Sequence, residues 1–202
     1  MPHLRNALVK KRASRPDLPP PRRPGRLGGA ALRRRARRIR IVLMDCDGVL
    51  TDGRIVFLSG RREAKAFNSK DGVGMRLAQT LGLEVGIVTG RRSEAVARRG
   101  RELGLREIHQ KIWDKMELTR RLVARRGIGF EQVCFIGDDI VDLPVMLRVG
   151  LAAAPADAHP EVLRRAHWVT RQRGGRGAVR EVLDLILDAR GLTAKLMERF
   201  VK

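Results

Sequence analysis

Short apolar segments recur along the chain from residue 39 onward, and the first of them ends at acidic residues and glycine. The clearest cover residues 39–44, 83–88, 133–136 and 151–153, with segments of helical apolar spacing between them. A continuous apolar run of this length is typical of a strand that is buried on both faces. Alternation of such strands with helices predicts a parallel sheet covered by helices on both sides. We therefore predict an α/β fold with a Rossmann-like sheet over residues 39–190.

One stretch between the first two core strands does not fit this alternation. Residues 54–58 and 63–67 flank Ser59-Gly60, a turn-forming pair, which is typical of a β-hairpin. The apolar spacing resumes at Gly74 and predicts a helix over residues 74–81. The sequence thus predicts a small β-hairpin inserted ahead of this helix.

The ends of the chain differ from the middle in composition. Residues 1–38 are rich in Arg and Pro, and the first 40 residues hold 14 of the 43 Lys and Arg but one of the 22 Asp and Glu. We predict a disordered extension over residues 1–38 and a C-terminal tail over residues 191–202. The extension has charge suited to RNA, acidic lipid or a protein partner, but such runs more often belong to a solvated segment.

Several classes of protein are disfavoured by composition. The chain has 3% aromatic residues and no Tyr, so it lacks the stacking platforms of many nucleic-acid-binding surfaces. It has no apolar run of 18 residues and no apolar secretory segment at its start, which favours a cytoplasmic protein with no membrane partner. Cys46 and Cys134 lie in or beside predicted core strands and are expected to be reduced core thiols.

Acidic and hydroxyl side chains follow the predicted core strands at the point where each strand ends. Asp45 and Asp47 come after the first, Thr89 after the second, and Asp138 after a later one. The carboxyl ends of parallel strands meet at one edge of a sheet, where ligands bind. Close carboxylates repel each other unless a cation lies between them, and Mg²⁺ prefers such oxygen ligands. The pattern predicts an anion site containing a divalent cation, with Lys115 as a further positive group.

The order of DxDG, TGR, a lysine and GDDxxxD resembles the haloacid dehalogenase superfamily of phosphatases over residues 39–190. The resemblance implies that Asp45 is the nucleophile and Asp47 the general acid and base. It implies that Mg²⁺ is held by the Asp45 and Asp138 side chains and the backbone carbonyl of Asp47. Thr89 and Lys115 would bind the transferred phosphoryl group. Two further carboxylates are expected behind these groups, namely Asp139 and Asp142.

The spacing of the motifs leaves no room for a large cap domain, so the protein is expected to be capless. The strings DCDGVLTDG, NSKDGVGM, VTGR, GDDIVDLP and GGRGAVRE together resemble the family of 3-deoxy-D-manno-octulosonate 8-phosphate phosphatases. That resemblance implies a Mg²⁺-dependent homotetramer that hydrolyses this sugar phosphate in lipopolysaccharide precursor synthesis. Val141 and Lys111 depart from the family pattern at positions where Asn and Gly are expected. Two alternatives stay open: a phosphatase for another sugar phosphate such as a nonulosonate 9-phosphate, and a basic-tailed nucleic-acid-associated scaffold without catalysis.

Candidate substrate-binding residues are less firmly indicated by the sequence. Residues 70–72 either contact the sugar acid or form a turn before the predicted helix. Residues 174–177 either reach a site, in this chain or a neighbour, or form a plain glycine-rich connection. Trp113 and Trp168 are expected to pack in the interior. The substrate-binding candidates are Lys70, Asp71, Gly72, Gly90, Arg91, Gln110 and Arg176.

Overall fold

The computed structural model describes residues 28–60, 62–198 and 200–201. Its strands are β1 Ile41–Met44, β2 Val56–Phe57, β3 Glu63–Ala64, β4 Glu84–Val88, β5 Glu107–His109, β6 Val133–Ile136, β7 Leu151–Ala154 and β8 Trp168–Val169. Its α-helices are α1 Gly29–Arg37, α2 Ser69–Thr80, α3 Glu94–Glu102, α4 Lys115–Arg126, α5 Leu143–Met146, α6 Pro160–Arg165, α7 Ala178–Ala189 and α8 Thr193–Met197. Short 3₁₀ helices cover Phe130–Gln132 and Ile140–Asp142.

Six parallel strands form the central sheet, in the order β5-β4-β1-β6-β7-β8. Strand β1 lies in the middle and pairs with β4 on one side and β6 on the other. The chain builds outward from β1 to β5 and then returns to build the other half, so the strand order reverses beside β1. Such a reversal leaves a crevice at the carboxyl ends of the central strands. The predicted α/β sheet is confirmed.

Side chains of β1 alternate between two hydrophobic cores. Val42 and Met44 face the core formed with helices α1, α2, α3 and α7, whereas Ile41 and Leu43 face the core formed with α4, α5 and α6. Both cores are built mainly from aliphatic residues, because the sequence holds few aromatic ones. Burial on both faces explains why these strands have continuous apolar runs.

The predicted hairpin is present and small. Strands β2 and β3 pair antiparallel, with Phe57 opposite Glu63. Between β1 and β4, the described residues form only this hairpin and helix α2, which agrees with the expectation of a capless fold. Cys46 and Cys134 are buried and free, as predicted. None of the helices in the described part of the chain has the length and apolar character needed to cross a bilayer.

Helix α2 begins at Ser69, five residues before the predicted start. The Asn68 side chain accepts a hydrogen bond from the backbone N–H of Lys70 and so caps the helix. Gly74 weakens the helical signal, but it lies where α2 packs against α7, and a β-carbon there would collide with the Arg180 side chain. The first residues of α2 were not predicted, because the glycine that close packing against α7 requires weakens the helical pattern of the sequence.

The prediction of disorder through residue 38 is wrong for residues 29–37, which form helix α1. Leu32 and Ala36 lie one turn apart on one face and are buried in the core shared with α7. Arg33 pairs with Asp188 at 2.7 Å, and Arg37 donates a hydrogen bond to the carbonyl of Ala189 at 3.1 Å. Two apolar residues among many arginines are a weak sequence signal for a helix. The packing of these residues against α7 stabilises α1. Residues 1–27 of the predicted extension lie outside the described residues, and α8 lies within the predicted C-terminal tail.

Deleting residues 1–38 is expected to destabilise the protein, whereas deleting residues 1–27 is expected to leave its stability unchanged. The longer deletion uncovers the face of α7 that Leu32 and Ala36 bury, a loss of about 2–4 kcal/mol in the free energy of unfolding. Urea titrations of the two truncated proteins measure this difference. Equal stability of the two would show that α1 does not contribute to the core. Leu32→Ala in the full chain should lower the free energy of unfolding by about half as much as the longer deletion, or more. Arg34→Ala, at an exposed position, serves as its control.

Candidate active site

A pocket of about 200 Å³ lies at the carboxyl ends of β1 and its two neighbouring strands. Parallel strands bring these ends together, although the residues that follow them are far apart in sequence. The pocket is also lined by residues of the segment between β5 and α4. The predicted site residues that line it are Asp45, Asp47, Thr89, Gly90, Arg91, Lys115, Asp138 and Asp139.

Lys115, the first residue of α4, joins two of the carboxylates. Its Nζ donates to Asp45 Oδ2 and to Asp142 Oδ1, both at 2.6 Å. The Lys115 side chain is 3% exposed and that of Asp142 is fully buried. Because this ammonium lies in a low-dielectric environment between two anions, it is held as a fixed positive charge beside Asp45.

The electrostatics of these buried groups reflect crowding of negative charge. Burial and the nearby Asp142 raise the pKa of Asp45 to about 6, although Lys115 acts in the opposite direction. Burial acts to lower the pKa of Lys115, but Asp142 and Asp45 outweigh it and the pKa is raised. Lys115 therefore stays protonated, and Asp45 ionises more readily when a further cation is present.

The Asp138 carboxylate has the features of a cation ligand. Its Oδ1 is buried and has no hydrogen-bond partner among the described residues. Burial, Asp142 and Asp45 raise the pKa of Asp138 to about 8. Oxygens of Asp45, Asp138 and Asp142 lie within 4.8 Å of one another. An unpaired buried oxygen among close carboxylates fits a hard divalent cation such as Mg²⁺.

Local backbone geometry explains why glycine follows the two aspartates at the tip of β1. Gly48 has a positive φ of 85°, and a β-carbon there would collide with the Asp138 carboxylate. The loop after β1 is supported from outside by the glycine-rich segment, since the Gly175 N–H donates to the carbonyl of Val49 at 2.9 Å. Only glycine permits Asp138 to lie this close to the loop.

Asp142 and Asp139 have supporting contacts. Asp142 Oδ2 accepts hydrogen bonds from the backbone N–H groups of Asp138 and Asp139, at 3.1 and 3.4 Å. With Lys115 on its other oxygen, Asp142 orients both the lysine and the loop after β6. Asp139 Oδ1 accepts from the backbone N–H of Ile140 at 2.6 Å. The expectation that both lie behind the metal-binding groups stays a prediction, and Asp139 itself lines the pocket.

Asp47 lies in a separate network of charged side chains that the sequence reasoning missed. Lys65 forms an ion pair with Asp47 Oδ1, and Arg91 Nε lies 3.7 Å from Asp47 Oδ2. Glu63 joins the two cations, since its Oε2 accepts from Arg91 Nη2 at 3.0 Å and its Oε1 lies 3.8 Å from Lys65 Nζ. A charged pair two residues apart in a predicted strand indicates a common face. The two-residue spacing of Glu63 and Lys65 was therefore the one sequence feature that could have indicated their shared contacts with the site.

Five predicted substrate-binding residues do not line the pocket. Asp71 is buried, and its Oδ1 accepts from the backbone N–H of Arg180 in the first turn of α7 at 2.7 Å. Gly72 lies within α2, against Arg99. Gln110 accepts from the backbone N–H of Ser93 at 2.5 Å. The remaining two are exposed, namely Lys70 and Arg176.

The two tryptophans and the two residues that depart from the family pattern have different surroundings. Trp113, expected in the interior, is 82% exposed and lines the pocket beside Val141, which is 53% exposed. Trp168 is partly buried and packs against the core, as expected. Lys111 has a positive φ of 60°, the conformation that favours glycine. Glycine, which the family pattern led us to expect at position 111, adopts this conformation without strain.

Comparison with known proteins places this arrangement in a family. The profile of haloacid dehalogenase-like hydrolases matches residues 101–183. The chain is 48% identical over 155 residues to the 3-deoxy-D-manno-octulosonate 8-phosphate phosphatase of Yersinia pestis, covering 77% of this chain and 83% of that protein. The chain belongs to this phosphatase family. The corresponding enzyme of Escherichia coli is 46% identical over 157 residues, covering 78% of this chain and 84% of that protein.

Solved structures of the phosphatase family share the fold. The Yersinia pestis crystal structure matches with a TM-score of 0.80 and 46% identity, covering 81% of this chain and 89% of that one. The phosphatase from Moraxella catarrhalis matches with a TM-score of 0.84 and 34% identity, covering 86% of this chain and 99% of that one, and that structure contains a magnesium ion, a phosphate ion and a KDO molecule. The family membership and the haloacid dehalogenase-like fold predicted from the motifs are confirmed.

Proposed function

We propose that the protein hydrolyses 3-deoxy-D-manno-octulosonate 8-phosphate to the free sugar acid and phosphate in lipopolysaccharide precursor synthesis. The observation that carries the proposal is the contact of Lys115 with Asp45 beside the unpaired buried oxygen of Asp138. This arrangement provides a nucleophile, a fixed positive charge and a cation ligand at one pocket, as phosphoryl transfer requires. Membership of the phosphatase family supports the choice of substrate.

In the first step, a carboxylate oxygen of Asp45 attacks phosphorus and the bond from phosphorus to the sugar oxygen breaks. Asp47 donates a proton to the departing oxygen, so that it leaves as an alcohol. Lys115 and the Thr89 hydroxyl bind the phosphoryl oxygens. Asp45 and Asp138, with the backbone carbonyl of Asp47, would hold Mg²⁺, which supplies charge neutralisation between the nucleophile and the phosphate dianion.

In the second step, water attacks the phosphorus of the aspartyl phosphate. Asp47, now deprotonated, accepts a proton from this water, and the bond from phosphorus to the Asp45 oxygen breaks. Phosphate leaves and both aspartates return to their starting state. A carboxylate nucleophile therefore divides the hydrolysis into two displacements that use the same acid and base.

The test of the substrate is a comparison of kcat/KM values with Mg²⁺ present. We expect the 8-phosphate of the octulosonate to be preferred over a nonulosonate 9-phosphate and over p-nitrophenyl phosphate by about tenfold or more. A higher value for the nonulosonate phosphate would establish the alternative sugar phosphatase. Lack of turnover on every phosphate ester, with the fold intact, would favour the non-catalytic scaffold.

We further propose that the enzyme is a homotetramer whose subunits meet through the hairpin. Val56, Phe57 and Leu58 are 47%, 76% and 48% exposed, so both faces of β2 present apolar surface. A two-stranded hairpin has unpaired edges and is marginally stable alone. Pairing with other copies would cover this surface and place a neighbour near each open pocket. A cytoplasmic location is part of the same proposal.

Replacing both Val56 and Leu58 by Asp is expected to dissociate the tetramer, because charges replace the apolar contact. The KM for the sugar phosphate should rise about tenfold or more, whereas the KM for p-nitrophenyl phosphate should change little, since the smaller ester needs only the pocket of one chain. Light scattering and kinetics on both substrates measure the two effects. A monomeric wild type, or a dissociated variant with unchanged specificity, would contradict the proposal.

A further inference from the structure

The side chain of Asp47 is held from both sides by cations that the hairpin and the β4 tip provide. Lys65 contacts Oδ1 and Arg91 Nε lies 3.7 Å from Oδ2. The Lys65 side chain is 1% exposed, whereas that of Arg91 is 40% exposed. Lys65 therefore supplies the fixed contact, and Arg91 lies at the pocket with part of its guanidinium open to solvent.

Glu63 links these groups into one charge-balanced unit. Its Oε2 lies 3.0 Å from Arg91 Nη2 and its Oε1 lies 3.8 Å from Lys65 Nζ. The carboxyl groups of Asp47 and Glu63 alternate with the two cations, so each cation lies beside two oxygen-bearing groups, whether or not Asp47 carries the proton that it transfers. A buried ammonium needs such partners, because burial of an unpaired charge is strongly unfavourable. The arrangement restricts the Lys65 side chain to a position against Asp47.

We propose that Lys65 is a positioning residue that orients the Asp47 carboxylate for proton transfer. The inference rests on the proposed role of Asp47 as general acid and base. A carboxyl group must lie within hydrogen-bond reach of both the departing oxygen and the attacking water, and a freely rotating side chain spends little time there. Lys65 holds Asp47 Oδ1, and Oδ2 lies beside Arg91, which lines the pocket together with Asp47.

A merely structural role for Lys65 makes a different prediction. Loss of a structural contact would loosen the hairpin and slow every step that the pocket carries out. Loss of positioning would slow only those steps in which Asp47 transfers a proton. Expulsion of p-nitrophenolate from its phosphate ester needs no proton donor, because this group leaves readily as an anion. Hydrolysis of the aspartyl phosphate needs Asp47 as base whatever the substrate.

The experiment is rapid-mixing kinetics of the Lys65→Met holoenzyme with p-nitrophenyl phosphate and Mg²⁺. We expect a burst of one nitrophenolate per active site, formed within about threefold of the wild-type rate, followed by turnover about 100-fold slower. Lys65→Arg, which keeps the charge, should restore at least a tenth of the wild-type turnover. Lys195→Met, at an exposed position in α8, is the matched control and should show neither change.

A second variant keeps the test decisive if Lys65→Met does not fold. Glu63→Gln removes the group that joins Lys65 to Arg91 and should give the same burst, with turnover about tenfold slower. Slowing of both phases in proportion, or unchanged turnover, in the folded variants would overturn the inference. Wild-type enzyme that forms no phosphoenzyme would instead refute the proposed reaction, whereas a different preferred sugar phosphate would leave the role of Lys65 intact.

Discussion

Asp45→Asn is expected to lower turnover by at least about 10⁴-fold while the protein keeps its fold. The amide cannot act as the nucleophile, and its position against Lys115 is otherwise retained, since an amide oxygen still accepts from Nζ. Asp45 is the pocket carboxylate that Lys115 contacts directly, at 2.6 Å, and it is the group that we propose as the nucleophile. The measurement is kcat for the sugar phosphate with Mg²⁺, with circular dichroism to verify the fold.

Two comparisons separate loss of the nucleophile from general damage. Asp184→Asn makes the same chemical change on the outer face of α7, where the carboxylate is 52% exposed, and should leave turnover within about twofold of the wild type. Asp47→Asn should slow turnover strongly but still permit a burst of nitrophenolate, because Asp45 remains. Wild-type-like turnover by Asp45→Asn would rule out the aspartyl-phosphate mechanism.

The strand-end groups were predictable from the sequence for a topological reason. A parallel sheet places the carboxyl ends of its strands at one edge, so Asp45, Thr89 and Asp138 had to converge once the strands were recognised. Lys115 was assigned by its place in the order of motifs, and the structure places it as the first residue of α4 between two carboxylates. Local sequence pattern and sheet topology together were sufficient to predict which residues lie at the centre of the pocket.

The surroundings of the pocket depended on contacts that no local pattern specifies. Lys65 meets Asp47 only because the hairpin folds back over the end of β1. Asp71 lies within the string NSKDGVGM that resembles the phosphatase family, and in this chain its side chain caps α7. Helix α1 has two buried residues among arginines, and its stability comes from the face of α7. In each case tertiary packing determined a contact that no local sequence pattern specified.

Removal of Mg²⁺ is expected to abolish turnover, and the affinity for Mg²⁺ is expected to fall as the pH is lowered from about 8 to about 6. Burial and neighbouring carboxylates raise the pKa of Asp138 to about 8 and that of Asp45 to about 6 in the metal-free protein. Below pH 8 the ion must therefore displace a proton, so its dissociation constant should rise by up to about tenfold per pH unit. Calorimetry in buffers of different ionisation enthalpy measures both the affinity and the protons released.

Ca²⁺ should bind but inhibit, because it accepts more oxygens at longer distances and would misplace Asp45.

The same groups determine the sign of the stability change. A carboxyl group whose pKa is higher in the folded than in the unfolded state stabilises the fold at low pH, and this contribution is lost as the pH rises toward the folded-state pKa. The metal-free protein should therefore lose stability between about pH 4 and pH 8, and saturating Mg²⁺ should raise Tm more at pH 8 than at pH 6. Asp138→Asn removes the group with the higher pKa and should reduce the difference between the two pH values. An equal rise in Tm at both pH values, or full turnover after exhaustive chelation, would exclude the proposed cation site. The reason is that the neighbouring Asp45 and Asp138 carboxylates repel each other when both are ionised, so both can be ionised at low cost only with a cation between them.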